Sequence, residues 1–311
     1  MPTVLTRNTK LASVSVPPNT VGKVNLWIAS FPLLALPALA IGVQNRLPPW
    51  LFMWALSFAI FAGLKWMTWW KARTRVAHSA GRSFAYLVAW PGMDAEAFLD
   101  GAKHAASPTP QEWLRAALKT ALGSALLWIV ARRIPEEQDL LRGWVGLFGL
   151  IFLLHFGSFH LISLFWQSVG IDAEPIMSKP IRSKTLSEFW GKRWNLGFRQ
   201  LAHDLIFRPL HKRTGVAMAG LLVFVASGLI HDLVISIPAR GGYGLPTGYF
   251  ILQGLGVTFE RSAVGRRLGL QKGPTAWIFM VLLTAGPAFW LFHPSFVLRV
   301  ILPFMRAIHA L

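Results

Sequence analysis

Residues 215–237 read GVAMAGLLVFVASGLIHDLVISI, and apart from His231 and Asp232 every position is apolar or small. A helix rising about 1.5 Å per residue needs about twenty such residues to cross the roughly 30 Å of hydrocarbon in a bilayer. This stretch is long enough. Working outward, blocks of similar length fall at about 24–43, 49–70, 114–131, 143–169, 246–260, 274–292 and 296–310, which makes eight expected spans. The last two are parted only by Pro294 and its neighbours. A shorter apolar piece, Phe84 to Trp90, ends in Pro91-Gly92 and cannot span. It is expected to lie at the interface or re-enter, packed against protein rather than lipid. The expected fold class is all-α, a polytopic transmembrane helical bundle, with 1–311 as a single membrane domain.

Composition agrees. Hydrophobic residues make up 54% and charged residues 14%, against roughly 25% charged in a soluble domain. Fifteen tryptophans occur beside three tyrosines. Trp50, Trp69, Trp70, Trp113, Trp144 and Trp166 stand at block edges, as in an interfacial belt. The absence of cysteine excludes disulfides, thiolate metal sites and a cysteine nucleophile. A net charge of +18 reads as basic loops beside anionic lipid, and no nucleic-acid partner is expected.

Residues 1–23 lack the apolar core of a cleaved signal and read as a cytoplasmic leader. With that end inside, segments 1–23, 71–113, 170–213 and 261–273 hold 21 of the 31 Lys and Arg, and the outside segments hold 5. The positive-inside rule asks for that imbalance. Lys65, near the end of the second block, is expected to snorkel toward the surface. A bacterial inner membrane is favoured over the endoplasmic reticulum.

Asp232 is the one acidic residue of thirteen that lies well inside an apolar span, and His231 precedes it. Ionisable groups at that depth are costly and mark cavities or function. Sequence neighbours point about 100° apart on a helix, so the two cannot face one point. His231 is assigned to a cavity and Asp232 to a structural partner, an arginine or a helix terminus. A buried histidine bonded to a backbone carbonyl accounts for the same residue types.

A second constellation lies at Glu188-Phe189-Trp190-Gly191-Lys192-Arg193-Trp194-Asn195. Trp190, Trp194, Phe198, Leu201 and Leu205 follow one helical face, with Lys192, Arg193, Arg199, His203 and Arg208 elsewhere. The spacing predicts a basic amphipathic helix at the cytoplasmic interface. Asn195 is its one polar residue placed to reach into the membrane.

Together, the segment 188–195 and the Ser227-Gly228-Leu229-Ile230-His231-Asp232 stretch, its histidine 36 residues beyond Asn195, resemble the membrane-bound O-acyltransferase superfamily. The wax synthase-like branch looks closest, with Lys192 standing where that branch tends to have arginine. Trp90-Pro91-Gly92-Met93-Asp94 also resembles a stretch in that branch. The likeness covers about residues 84–260, and the chain is short for the superfamily, which implies fewer peripheral helices. The resemblance implies a catalytic His231 assisted by Asn195, moving an acyl group from an acyl-CoA co-substrate to the hydroxyl of a lipidic alcohol. Lys179, Arg182, Lys184, Lys192, Arg193, Trp190 and Trp194 are then expected to hold the acyl-CoA, with no permanently bound cofactor. His231 lies about sixteen residues from the cytoplasmic start of its span, about 24 Å at helical rise, so a tunnel is implied.

Other readings stay open. The acceptor can be a protein, a polysaccharide or a small metabolite, since kinship alone does not fix it. A transporter with a His231/Asp232 proton relay is the rival from another class, although no internal repeat supports it. His155 and His160 stand five apart without acidic or cysteine company, so no metal site is expected, but either can line the cavity. Gly241-Gly242-Tyr243-Gly244 signals a loop without the context of a phosphate-binding one.

Overall fold

The computed structural model describes residues 26–102 and 104–311. The expected leader 1–23, and the start of the first expected span, lie outside the described residues. Among the described residues the chain is helical and contains no strand. Helices α1 (Leu26–Gly42) and α2 (Pro49–Ala72) pack along each other, followed by two short ones, α3 (Ala80–Ala89) and α4 (Ala95–Leu99). The long α5 (Pro110–Arg133) and α6 (Glu136–Ser168) come next. A loop then leads to α7 (186–193) and α8 (196–214). Beyond these come α9 (Val216–Ala239), α10 (Leu245–Arg261), α11 (Gly273–Leu291) and α12 (294–307), with a short helical turn at Ala263–Arg267 between α10 and α11.

Five of these, α2, α5, α6, α9 and α11, are long and apolar enough to cross a membrane. The other three expected spans fall on α1 and α10, of 17 residues each, and on the short α12. Apolar side chains stand outward at mid-helix, such as Phe58 at 62% and Leu282 at 64% exposure. Lipid is the solvent that tolerates them. The chain is a polytopic helical membrane protein.

Local signals set the helix ends. Thr109 accepts from the Glu112 N–H while the Glu112 carboxylate accepts from the Thr109 N–H, a reciprocal cap that opens α5 with Pro110 in its first turn. One apolar core joins α2, α5, α6, α9 and α12 through Met53, Leu127, Leu150, Ile235 and Val300. Another sets α3, α4 and the following loop on α2 and α6, through Tyr86, Trp90, Phe98 and Trp166. One face of the Phe84–Trp90 segment packs against protein there, with Tyr86 and Trp90 buried, while Phe84 and Val88 stand outward at 68% and 64% exposure.

Lys65 departs from expectation. It is buried, not snorkelling: its ammonium donates to the Gly92 carbonyl at 2.7 Å and stands 3.1 Å from the Tyr86 ring centroid. The carbonyl and the ring face replace the water a surface position would offer. This contact pins the Trp90-Pro91-Gly92 turn against α2. Two belt tryptophans also turn to protein: Trp69 donates to Ser83 and Trp166 to the Ala89 carbonyl.

Candidate active site

His231 sits on α9 where the regular helix gives way to a π-turn, Asp232–Ser236. Its Nδ1 lies 2.7 Å from the Ser227 carbonyl. A carbonyl oxygen can only accept, so Nδ1 carries the proton and Nε2 of the neutral ring keeps its lone pair. The imidazole leans on Phe250 of α10, centroids 4.4 Å apart. That contact needs α9 and α10 close together, and Gly228 permits it. A Cβ there would lie 2.7 Å from the Thr247 Cα, inside any real packing distance.

Asp232 turns to the N-terminus of α10, as the terminus alternative expects. Its Oδ1 accepts from the Gly244 N–H at 2.9 Å and the Ser236 hydroxyl at 2.8 Å. Its Oδ2 accepts from the Thr247 N–H at 3.1 Å and the Thr247 hydroxyl. The carboxylate thus caps a helix whose first N–H groups lack partners and carry partial positive charge. Both oxygens are committed, which removes Asp232 from a relay with His231.

The amphipathic helix expected from Trp190 onward is interrupted. Residues Phe189–Arg193 form a π-turn, Trp194 is extended, and Asn195 adopts the left-handed conformation with φ 46° and ψ 60°. Asparagine is among the few non-glycine residues that visit this region readily. A bracing loop fixes the break: Ser178 N–H donates to the Arg193 carbonyl and Leu196 N–H to the Ile176 carbonyl. Among the described residues the Asn195 side-chain amide has no protein partner.

Arg193 is occupied elsewhere than expected. Its guanidinium reaches Glu188 Oε1 from Nε at 2.8 Å and Nη2 at 2.6 Å, and Nη1 donates to the Ser178 carbonyl. Burial works to raise the Glu188 carboxyl pKa, but the Lys184 N–H and Arg193 outweigh it and hold the group below the usual range. This pair ties the loop down and leaves Arg193 little to offer a phosphate. Lys179, Arg182, Lys184 and Lys192 are exposed and line neither of the two cavities beside His231 and Asn195. Trp190 and Trp194 form cavity wall instead, and Trp190 Nε1 is held by Gln253 at 3.2 Å.

Two cavities of about 410 Å³ each meet at this point. The first is lined by His231, Phe224, Phe250, Trp190 and Trp194, with Arg199 at its rim. The second lies between α2, α6 and the Trp90-Pro91 turn. Ser57, Phe61, His155, Asn195 and Phe198 line both. Asn195 and His231 therefore line one space. Arg199, Ser57 and Phe61 carried no signal for the cavity in the sequence, because the partner helices that bring them there are distant along the chain.

The comparisons with known proteins point the same way. A family model described as "Membrane bound O-acyl transferase family" matches residues 173–252, which hold both Asn195 and His231. "Probable long-chain-alcohol O-fatty-acyltransferase 7" of Arabidopsis thaliana is 28% identical over 145 residues, 42% of this chain and 42% of that protein. "Long-chain-alcohol O-fatty-acyltransferase" of Simmondsia chinensis is 28% identical over 144 residues, 42% of this chain and 40% of that protein. "Acyl-CoA--sterol O-acyltransferase 1" of Arabidopsis thaliana is 27% identical over 136 residues, covering 40% and 39%. The aligned regions thus span about two-fifths of these relatives. All three are plant proteins, which gives the expected bacterial membrane no support. Through the segment that carries Asn195 and His231, the chain is similar to the membrane-bound O-acyltransferases, and its likeness to their wax synthase-like branch is borne out.

Proposed function

We propose that the protein transfers an acyl group from an acyl-CoA thioester to the hydroxyl of a lipidic alcohol, with His231 as general base and Asn195 assisting. The observation that carries this reading is the state of His231: Nδ1 is spent on the Ser227 carbonyl, so the basic Nε2 is the nitrogen left for a cavity it shares with Asn195. The alcohol proton passes to Nε2 as the alcohol oxygen bonds the thioester carbon. Collapse of the tetrahedral intermediate breaks the C–S bond, and the proton moves to sulfur as the thiol leaves. General-base help of this kind is worth typically ~10²–10⁴ in rate, and one well-placed donor to the oxyanion about 3 kcal/mol.

Two meeting cavities suit two substrates. The second has Phe58 and Val88 in its wall, 62% and 64% exposed on the lipid side, which favours an acceptor arriving from the hydrocarbon. The relatives' names, with long-chain alcohols and a sterol as acceptors, favour the same class. The exposed Lys179, Arg182, Lys184 and Lys192 suit donor phosphates held at the cytoplasmic surface. The test is ester formation from palmitoyl-CoA and hexadecanol in membranes carrying wild type or His231→Ala. Wild type is expected to make ester and the variant to lose ~10²–10⁴ of the rate. No ester from wild type would sink the activity; undiminished turnover in the variant would sink the role of His231.

A further inference from the structure

Among the described residues His155 is one of four side chains with a buried polar atom that the fold leaves unpaired, and of these it alone lines both cavities. Its ring lines both cavities, at the junction that Asn195 also lines. Its Nδ1 is buried without a hydrogen-bond partner, and among the described residues Nε2 has none either. Buried polar atoms are nearly always paired, and each exception calls for a reason. Here the reason is not a wrong position of a surface residue. Phe159, one turn on, packs edge-on against the imidazole at 5.5 Å, and its neighbour Phe156 meets Trp194, the residue before Asn195, at 6.2 Å. The backbone adds a second observation. His155 lies inside a π-turn, Phe152–Ser158, and such turns recur at functional sites. Asn195 follows one π-turn and His231 precedes another.

We infer that His155 is a further catalytic residue: its Nε2–H donates a hydrogen bond to the thioester carbonyl oxygen where the two cavities meet, alongside the Asn195 amide. The inference rests on the acyl-transfer reading above. In cavities walled mainly by aromatic and aliphatic side chains, the thioester carbonyl and the alcohol oxygen are the polar atoms at the reacting ends of the two substrates. The alcohol proton is directed to His231, so the carbonyl oxygen remains for a donor. That oxygen gains negative charge as the alcohol adds, and the bond from His155 strengthens at that moment. No proton leaves His155, and the thioester and alcohol still yield ester and thiol.

The experiment compares His155→Phe, which keeps a ring and removes the donor, with His155→Gln, which keeps a donor. Purified proteins are assayed with palmitoyl-CoA and hexadecanol, and kcat and KM are resolved. Binding of S-hexadecyl-CoA, a thioether without the carbonyl, is measured beside them as a packing control. His155→Phe is expected to lose about 10² in kcat, with thioether affinity within about twofold of wild type and His155→Gln keeping at least about a tenth of wild-type kcat. Three results overturn the assignment: His155→Phe keeping more than half of kcat, His155→Gln falling as far as His155→Phe, or thioether affinity falling in step with kcat. If wild type itself makes no ester, the acyl-transfer reading fails and this one with it. If wild type turns over and His155→Phe is indifferent, only His155 is lost.

Discussion

Asp232→Ala separates the two neighbours at the centre of the site. Removing the carboxylate strips acceptors from the Gly244 and Thr247 N–H groups and from the Thr247 and Ser236 hydroxyls. The hydroxyls can rotate, and Ser236 already has the Gly242 carbonyl at 3.3 Å. The two N–H groups cannot, since the start of α10 fixes them. Each costs about 1–3 kcal/mol if left unpaired, and loss of a cap alone costs roughly 0.5–2 kcal/mol. Gly244 is exposed and recovers part of its share from water, so the expected loss is about 2–4 kcal/mol. That is a drop of several degrees in the melting midpoint of the detergent-solubilised protein, with kcat/KM of the folded fraction within about tenfold of wild type. His231→Ala should show the reverse pattern, a small shift in melting and a large loss of rate. The discriminating variant is Asp232→Asn, which keeps one oxygen for Gly244 and sets its amide against the Thr247 N–H. If it melts like wild type yet loses ~10³ of the rate, the carboxylate takes part in the chemistry and the capping argument is wrong.

Asn195 offers a backbone test as well as a chemical one. Asn195→Gly keeps the left-handed turn and loses only the amide, so rate should fall about 10²–10³-fold at near-unchanged melting. Asn195→Ala should lose the same rate and also about 1–2 kcal/mol of stability, because an alanine at φ 46° is strained. Equal melting of the two variants would refute the turn's role. For the Glu188–Arg193 lock, the carboxyl pKa is lowered in the folded chain. Its stabilisation is therefore full above the unfolded value of about 4.3 and is lost as pH falls through the folded value. Amide exchange across 186–196, corrected for intrinsic rate, should quicken below about pH 4, and Glu188→Gln should show that looseness at neutral pH. Exchange indifferent to both pH and substitution would count against the lock.

What the sequence made legible was whatever is local in period and length. Runs of twenty apolar residues need no partner to be recognised, so the helices carrying the expected spans fell into place. The division of labour between His231 and Asp232 followed from the 100° step of a helix alone. The misses are all matters of what distant chain brings. Lys65 looked like a snorkelling residue because its acceptor, the Gly92 carbonyl, lies 27 positions away and is invisible in the pattern. Arg193 looked like a phosphate ligand because a basic run does not reveal that Glu188 is folded back on it. The break at Trp194–Asn195 hid in an apolar spacing that runs unbroken across it. That spacing persists because Trp194 still faces the cavity wall after the π-turn has shifted the helical phase.

The walls of the cavity bear on why an alcohol, and not water, should receive the acyl group. A bound water needs two to four polar partners to be held in a buried space. Around His231 the walls are largely Phe224, Phe250, Trp190 and Trp194. Trp190 has its N–H committed to Gln253, so that ring offers a water no donor. Ser57, His155, Asn195 and Arg199 also line this cavity, so under the proposed activity a water competes through those groups, whereas an alcohol gives up one proton at Nε2 and lays its chain on the rings. Under the proposed activity, the choice between transfer and hydrolysis then turns on how well the acceptor chain fills the space enclosed by Phe224, Phe250, Trp190 and Trp194.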